Sequence, residues 1–147
     1  MMYENILKDY TKRAYQNYQK NKNSEYDVTL LINCITGALS LIDEKMRKMF
    51  FENISYEDIL KIAIPEINEI YDNKDGNNAT LAFMRHLRNS LCHIKLENNI
   101  KLDKDDKIEA ITFEDYYKDN LQFKCTINIK KLDKLFLFIV DIIQAKL

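Results

Sequence analysis

The sequence predicts a mainly α-helical fold with one small β-hairpin directly before the last helix. The 147 residues include only two glycines and one proline, too few for the many tight turns of an all-β sandwich. Apolar residues recur at steps of three and four along most of the chain, which is the spacing of a helix face. Apolar and polar residues alternate regularly only in residues 121–129, and this pattern is typical of a strand.

Length and composition predict one soluble domain that spans residues 1–147. Hydrophobic residues make up 46% of the chain and charged residues 31%, which is enough apolar material for a core. The longest uncharged stretch, residues 28–42, is too short and too polar to cross a bilayer, so no membrane contact is expected. The three cysteines form no closely spaced pair and the first residues lack a signal-peptide pattern, so we expect a cytoplasmic protein with reduced thiols.

Helical spacing begins near the start of the chain. Residues 4–22 predict the first helix, and Ser24 or Asp27 is expected to cap the second. Because the other faces of the second helix also carry no charge, it is expected at the centre of the domain or in a subunit interface. Its apolar residues recur at steps of three and four: Val28, Leu31, Ile32, Ile35, Leu39 and Ile42.

The next predicted segments are shorter. Residues 43–51 are expected to extend the second helix, and Ser55 to start a third one that ends near Ala63. Pro65 permits a new first helical turn, and residues 73–78 form the clearest loop in the chain. The apolar residues behind the Pro65 turn are Ile67, Ile70 and Tyr71.

The second half of the chain predicts a helix, a hairpin and a closing helix. Asn78 can cap the first of these helices. Its apolar stripe is Leu81, Met84, Leu87, Leu91 and Ile94. Residues 107–117 partly alternate, and residues 118–120 separate them from the alternating stretch that follows, which predicts the hairpin. Asn128 can cap the closing helix, whose inward residues are Leu132, Leu135, Phe136, Ile139 and Ile143.

Residues with catalytic potential are concentrated between Arg85 and His93. Both histidines of the chain and two of its four arginines lie in this segment. Residues 76–96 carry three cations, including Lys95, and no aspartate or glutamate; with these cations set aside, the net charge of −1 becomes −4. The sequence therefore predicts a local anion site on an otherwise acidic molecule.

Helix geometry places the residues of this segment on different faces of one helix. On an ideal helix Arg85, Asn89 and His93 share one polar face, whereas Arg88 lies well away from His93. Arg88 would approach His93 only across a dimer or if the helix ended before His93. Histidine exchanges protons near neutral pH and arginine matches phosphate oxygens, so the segment holds the groups that metal-free RNA cleavage needs. The alternative interpretation, a solvated face of long side chains over apolar surface, stays open.

The segment from Arg88 to His93, with Asn89 directly after the arginine, resembles the R-x4–6-H motif of the HEPN superfamily. Arg85 falls outside that spacing. Residues 30–37 and 83–89, the late hairpin and the capped last helix resemble a plasmid-borne and defence-associated HEPN branch, and together the likeness covers most of residues 25–145.

This resemblance implies a HEPN-like helical bundle that forms a homodimer with one composite ribonuclease site. It implies a metal-independent endoribonuclease without a cofactor, which leaves a 2′,3′-cyclic phosphate, in a toxin–antitoxin or phage-defence role with an antitoxin or nucleotidyltransferase partner. By position, Arg88 and His93 would be catalytic and Asn89 would support them. The remaining candidates to bind the RNA are Arg85, His86 and Lys95. The alternative is a non-catalytic HEPN-like dimer that binds RNA, a nucleotide or a partner protein.

Three further features of the sequence could form sites. Asn33 within the uncharged second helix either pairs with a buried backbone group or supports the motif. Residues 103–106 fail the EF-hand pattern because isoleucine stands where glycine belongs. Cys92 is expected to pack, since two histidines and isolated cysteines do not assemble a zinc set. No metal site is therefore expected.

Overall fold

The computed structural model describes residues 2–63, 68–70, 74–94 and 96–147. Within these ranges the chain is mainly helical, with the strands before the last helix forming a small sheet, as the sequence predicts. The elements in chain order are α1 (Met2–Asn21), α2 (Asp27–Ser40), α3 (Glu44–Phe51), α4 (Tyr56–Ala63), β1 (Asn68–Ile70), α5 (Ala79–Leu91), α6 (Leu96–Asn99), β2 (Ile100–Leu102), β3 (Ile108–Tyr117), β4 (Asn120–Asn128) and α7 (Ile129–Lys146).

The predicted hairpin is confirmed as β3 and β4, and its turn is tight. Lys118 and Asp119 have φ of 47° and 66°, and positive φ at both central residues is what the favoured two-residue hairpin turns require. The sheet is larger than the hairpin, since the strands lie in the antiparallel order β1-β4-β3-β2. The two outer strands of three residues each are too short to show a period of two in the sequence.

The prediction of a helical turn after Pro65 is wrong at Ile70, which lies in β1 and pairs with Phe123 of β4. Pairing with the distant strand β4 outweighs the local preference of this segment for a helical turn. Pro65, Ile67 and Tyr71 lie outside the described residues.

Helix caps decide the ends of several elements. Asn78 Oδ1 accepts from Leu81 N at 3.1 Å and Asn128 Oδ1 from Lys130 N at 2.9 Å, which confirms both predicted caps. Asp43 Oδ1 accepts from Met46 N at 2.8 Å, so α3 begins as a separate helix and the predicted extension of the second helix is wrong.

The predicted cap of α2 is also wrong. Its N-cap is Tyr26, which makes no side-chain cap bond. Asp27 instead accepts from Asn23 N at 2.9 Å through its carboxylate and thereby closes the turn between α1 and α2.

The α2 helix lies at the surface rather than at the centre of the domain. One face is buried through Leu31, Cys34, Ile35, Ala38 and Leu39. The opposite side, which we call the α2 outer face, exposes Thr29, Asn33 and Ser40 without a charge. Because Asn33 is exposed, the interpretation that it pairs with a buried backbone group is wrong.

The core lies between α7, the sheet and the remaining helices. The predicted inward residues of α7, Leu132, Leu135, Phe136, Ile139 and Ile143, are all buried. On one side α5 packs against β3, and on the other it contacts α2 and α3. None of the described helices is long and apolar enough to cross a membrane.

Candidate functional site

The α5 helix carries most of the predicted site and ends before His93. Its last residue is Leu91, and Cys92 is its C-cap. The His93 N–H donates to the carbonyl of Ser90 at 3.0 Å in a turn, so the His93 side chain leaves the helical wheel that Arg85 and Asn89 follow. The helix thus ends between the two residues of the motif.

Arg85 is buried in an ion pair that the sequence does not show. Its Nε lies 2.8 Å from Asp75 Oδ2, and Arg47 Nη2 lies 3.3 Å from Asp75 Oδ1. The side chains of Arg47, Arg85 and Asp75 are only 9%, 10% and 5% exposed. One carboxylate on the loop before α5 therefore holds an arginine of α3 and an arginine of α5.

His86 continues this chain of contacts to the sheet. Its Nδ1 lies 2.7 Å from Asp115 Oδ2, and its Nε2 lies 3.4 Å from Arg85 Nη2. The ring stacks on Phe123 with 5.1 Å between centroids and 6° between planes. Asn89 Nδ2 also donates to Asp115 Oδ2 at 3.1 Å, so one carboxylate of β3 holds two side chains of α5.

We call these six side chains the buried charge network: Arg47, Asp75, Arg85, His86, Asp115 and Asn89. The alternative interpretation, a solvated face, is therefore wrong for Arg85 and His86, which are 9% and 0% exposed. The segment lacks acids only along the sequence, because a loop and a strand supply two carboxylates from elsewhere in the fold. Whether Arg85 and His86 contact RNA stays a prediction, and Lys95 lies outside the described residues.

Arg88 and His93 lie outside this network. Among the described residues, neither the Arg88 guanidinium nor the His93 imidazole has a hydrogen-bond or ion-pair partner. Arg88 is half-buried and lines a small cavity with Leu39 of α2, Phe51 of α3 and Ile42 between these two helices.

His93 is exposed and lines a separate groove. This groove, which we call the histidine groove, has a volume of about 630 Å³ and includes Glu114, Tyr116, Lys118 and Asp119. Tyr116 Oη donates to Glu114 Oε2 at 2.6 Å, and this bond raises the pKa of Tyr116.

A second groove lies beside the first. It has a volume of about 470 Å³, and we call it the tyrosine groove because Tyr116 and Tyr117 line it together with Asn89, Lys74 and Gln122. The residues that line the Arg88 cavity and those that line the histidine groove have no member in common. Within one protomer, therefore, the structure does not bring Arg88 and His93 together.

The remaining candidate residues lie apart from these grooves. Asn33 is exposed on α2 and lines neither groove. Cys92 is exposed rather than packed. No group of three metal-ligating side chains occurs among the residues with described positions.

Sequence reasoning missed Arg47, Asp75 and Asp115. Arg47 had one available signal, since it is one of only four arginines and lies on an amphipathic helix. The two aspartates had none, because Asp75 lies in a polar loop and Asp115 in a strand next to two tyrosines. Only the fold places them against α5.

Comparison with known proteins identifies a family. A family model described as HEPN pEK499 p136 matches residues 1–146. No curated protein and no solved structure matches the chain.

Replacing Asp75 tests the buried charge network. We expect Asp75→Asn to lower the free energy of unfolding by about 3–5 kcal/mol, because it leaves two buried guanidinium groups without this carboxylate. The measurement is urea unfolding followed by circular dichroism. Asp9→Asn is the matched control, since the Asp9–Arg13 pair is exposed and such pairs contribute about 0–1 kcal/mol. Equal stability of the two variants would contradict the network's role.

Proposed function

The chain belongs to the HEPN pEK499 p136 family, and from this premise we propose that it is a metal-independent endoribonuclease acting as a homodimer. The family suggests a nuclease, RNA-related or defence role. The finer assignment depends on which side chains of the Arg85–His93 segment can act on a phosphate.

One observation carries the proposal: of the basic side chains in this segment, Arg88 and His93 are the two that pair with no described residue. An arginine held by a buried carboxylate, such as Arg85, would have to break that pair before it bound phosphate. The Arg88 guanidinium has no such partner among the described residues and keeps its donors for phosphate oxygens. The spacing of Arg88 and His93 is also that of the R-x4–6-H motif.

A second protomer would unite the two side chains. Arg88 and His93 lie in different cavities of one protomer, so a single chain offers an incomplete site. A two-fold axis that brings Arg88 of one protomer to His93 of the other would complete it twice. The α2 outer face is exposed and uncharged, which makes this face our candidate for the interface.

The reaction needs no metal ion in this arrangement. His93 would take the proton of a ribose 2′-hydroxyl, and the 2′-oxygen would form a bond to phosphorus while the bond from phosphorus to the 5′-oxygen breaks. The imidazolium so formed would return its proton to the leaving 5′-oxygen. Arg88 would stabilise the charge on the phosphate oxygens, and the product would be a 2′,3′-cyclic phosphate.

Asn89 would support this site through its anchored side chain. Its amide nitrogen donates to Asp115, which holds α5 against β3 immediately after Arg88. A role in toxin–antitoxin or phage-defence systems, with an antitoxin or nucleotidyltransferase partner, follows from the same resemblance and is part of the proposal.

A non-catalytic dimer that binds RNA, a nucleotide or a partner protein is the second candidate. The charged residues of the histidine groove count against phosphate chemistry at His93, since Glu114 and Asp119 outnumber Lys118. A groove with an excess of negative charge would not hold a phosphate next to His93 unless a second protomer brought Arg88.

Cleavage in EDTA separates the two candidates. We expect the wild-type protein to cut unstructured RNA to cyclic-phosphate ends, identified by mass spectrometry, because no step uses a metal ion. We expect His93→Ala and Arg88→Ala each to lower the cleavage rate at least about 100-fold, the typical effect of losing a proton-transfer or charge-stabilising group.

Arg13→Ala is the control for that experiment, since Arg13 belongs to an exposed pair on α1. It should cleave at the wild-type rate. Intact RNA with the wild-type protein would favour the binding dimer, and equal cleavage by wild type and His93→Ala would overturn the catalytic assignment.

The dimer has its own test at the α2 outer face. We expect light scattering to give a dimer for the wild type at micromolar concentration and a monomer for Asn33→Arg, because a two-fold interface would place the new charges near each other. Gln16→Arg adds the same charge on an exposed position of α1 and should stay dimeric. A monomeric wild type would contradict the homodimer, and a dimeric Asn33→Arg would move the interface away from α2.

A further inference from the structure

The histidine groove and the tyrosine groove are neighbours that share one lining residue. Tyr116 lines both of them, so the tip of the β3–β4 hairpin stands between His93 on one side and Asn89 on the other. A ligand longer than one groove would therefore pass over Tyr116.

Two tyrosines are exposed at this hairpin tip. Tyr116 is 54% exposed and Tyr117 is 63% exposed, although both are large side chains with mostly apolar rings. The bond from Tyr116 to Glu114 restricts the first ring, and Lys118 Nζ lies 5.4 Å from the centroid of the second. The rings are thus oriented before any ligand arrives, which lowers the entropy lost on binding.

The two grooves differ in charge. In the tyrosine groove Lys74 balances Asp115, because the charge of Arg85 is already met by Asp75. In the histidine groove, as described above, the two carboxylates outnumber Lys118. A chain of phosphates that reaches His93 would therefore meet less repulsion in the tyrosine groove than in the histidine groove.

We propose that the tyrosine groove is a subsite for one unpaired nucleotide of the RNA strand, next to the nucleotide that His93 acts on. The base stacks on the exposed ring of Tyr116 or Tyr117, and the phosphate lies on the Lys74 side of the groove. This inference rests on the proposed function, which identifies the bound strand as RNA.

The chemistry of the groove favours a single strand over a duplex. Aromatic side chains stack on bases that are splayed out of a strand, whereas in an RNA helix each base is already stacked on its neighbours. Continuity with the histidine groove favours a strand over a free nucleotide, because a mononucleotide would occupy only one of the two grooves.

The test measures binding apart from cleavage. In the His93→Ala background, fluorescence anisotropy would follow a labelled, unstructured RNA of ten nucleotides and the same RNA annealed to its complement. We expect tight binding of the single strand only. Tyr116→Ala combined with Tyr117→Ala should weaken that binding by about tenfold or more, since each stacked base contributes a factor within about 5–150.

Matched variants keep the result independent of folding. Replacing both tyrosines by phenylalanine should retain the affinity, because the stacking rings remain. Tyr26→Ala removes a tyrosine that is 70% exposed on the α1–α2 corner and should bind like the background. All variants would be checked by thermal unfolding, and AMP would be added as a competitor.

Unchanged affinity after loss of both tyrosines would overturn the subsite, as would equal binding of duplex and single strand. If AMP competes at the concentration of the oligonucleotide, the ligand of the groove is a free nucleotide, and the proposal of an RNA strand is overturned. The proposed function fails separately: tyrosine-dependent binding without cleavage by the wild type removes the nuclease and keeps the subsite. Cleavage by the wild type combined with binding that does not depend on the tyrosines keeps the nuclease and removes the subsite.

Discussion

The carboxylate of Asp75 is the contact on which the arrangement of the site depends. Burying two arginines is costly unless a counter-charge meets them, and Asp75 meets both Arg47 and Arg85. Arg47 Nε has no hydrogen-bond partner among the described residues, so its guanidinium relies on Asp75 all the more. Asp75 therefore holds three elements together: α3, the loop at 74–78 and α5.

These contacts determine which side chains of the Arg85–His93 segment could take part in catalysis. Arg85 ties α5 to Asp75, and His86 and Asn89 tie it to Asp115 on β3. With both sides of α5 fixed, Arg88 and His93 are the cation and the imidazole of the segment that no described residue engages. Arg88 lies on this fixed helix and His93 directly after its end. The two side chains line separate cavities, and for this reason the proposed function includes a second protomer.

Features set by local sequence could be predicted, and those set by distant partners could not. The caps at Asn78 and Asn128, the hairpin and the inward face of α7 follow from spacing and turn chemistry within a few residues. The short strands β1 and β2 depend on pairing with β4 and β3. The cap at Asp43 was overlooked because the apolar spacing of α2 hides the break.

The same distinction holds for the site. Helix geometry alone predicts that Arg88 and His93 diverge, and the family motif selects them over Arg85. The burial of Arg85 and His86 could not be predicted, because the two aspartates that neutralise this region lie outside the segment and only the tertiary fold brings them to α5.

A subunit-mixing experiment tests the central claim, that Arg88 and His93 act across the two-fold axis. Co-expression of differently tagged Arg88→Ala and His93→Ala chains, followed by tandem purification, gives a heterodimer with one Arg88 and one His93 on opposite protomers. The account predicts that this heterodimer cleaves RNA in EDTA, whereas wild type paired with the Arg88→Ala/His93→Ala chain does not. An inactive mixed heterodimer, with activity instead in the second pairing, would contradict the composite site.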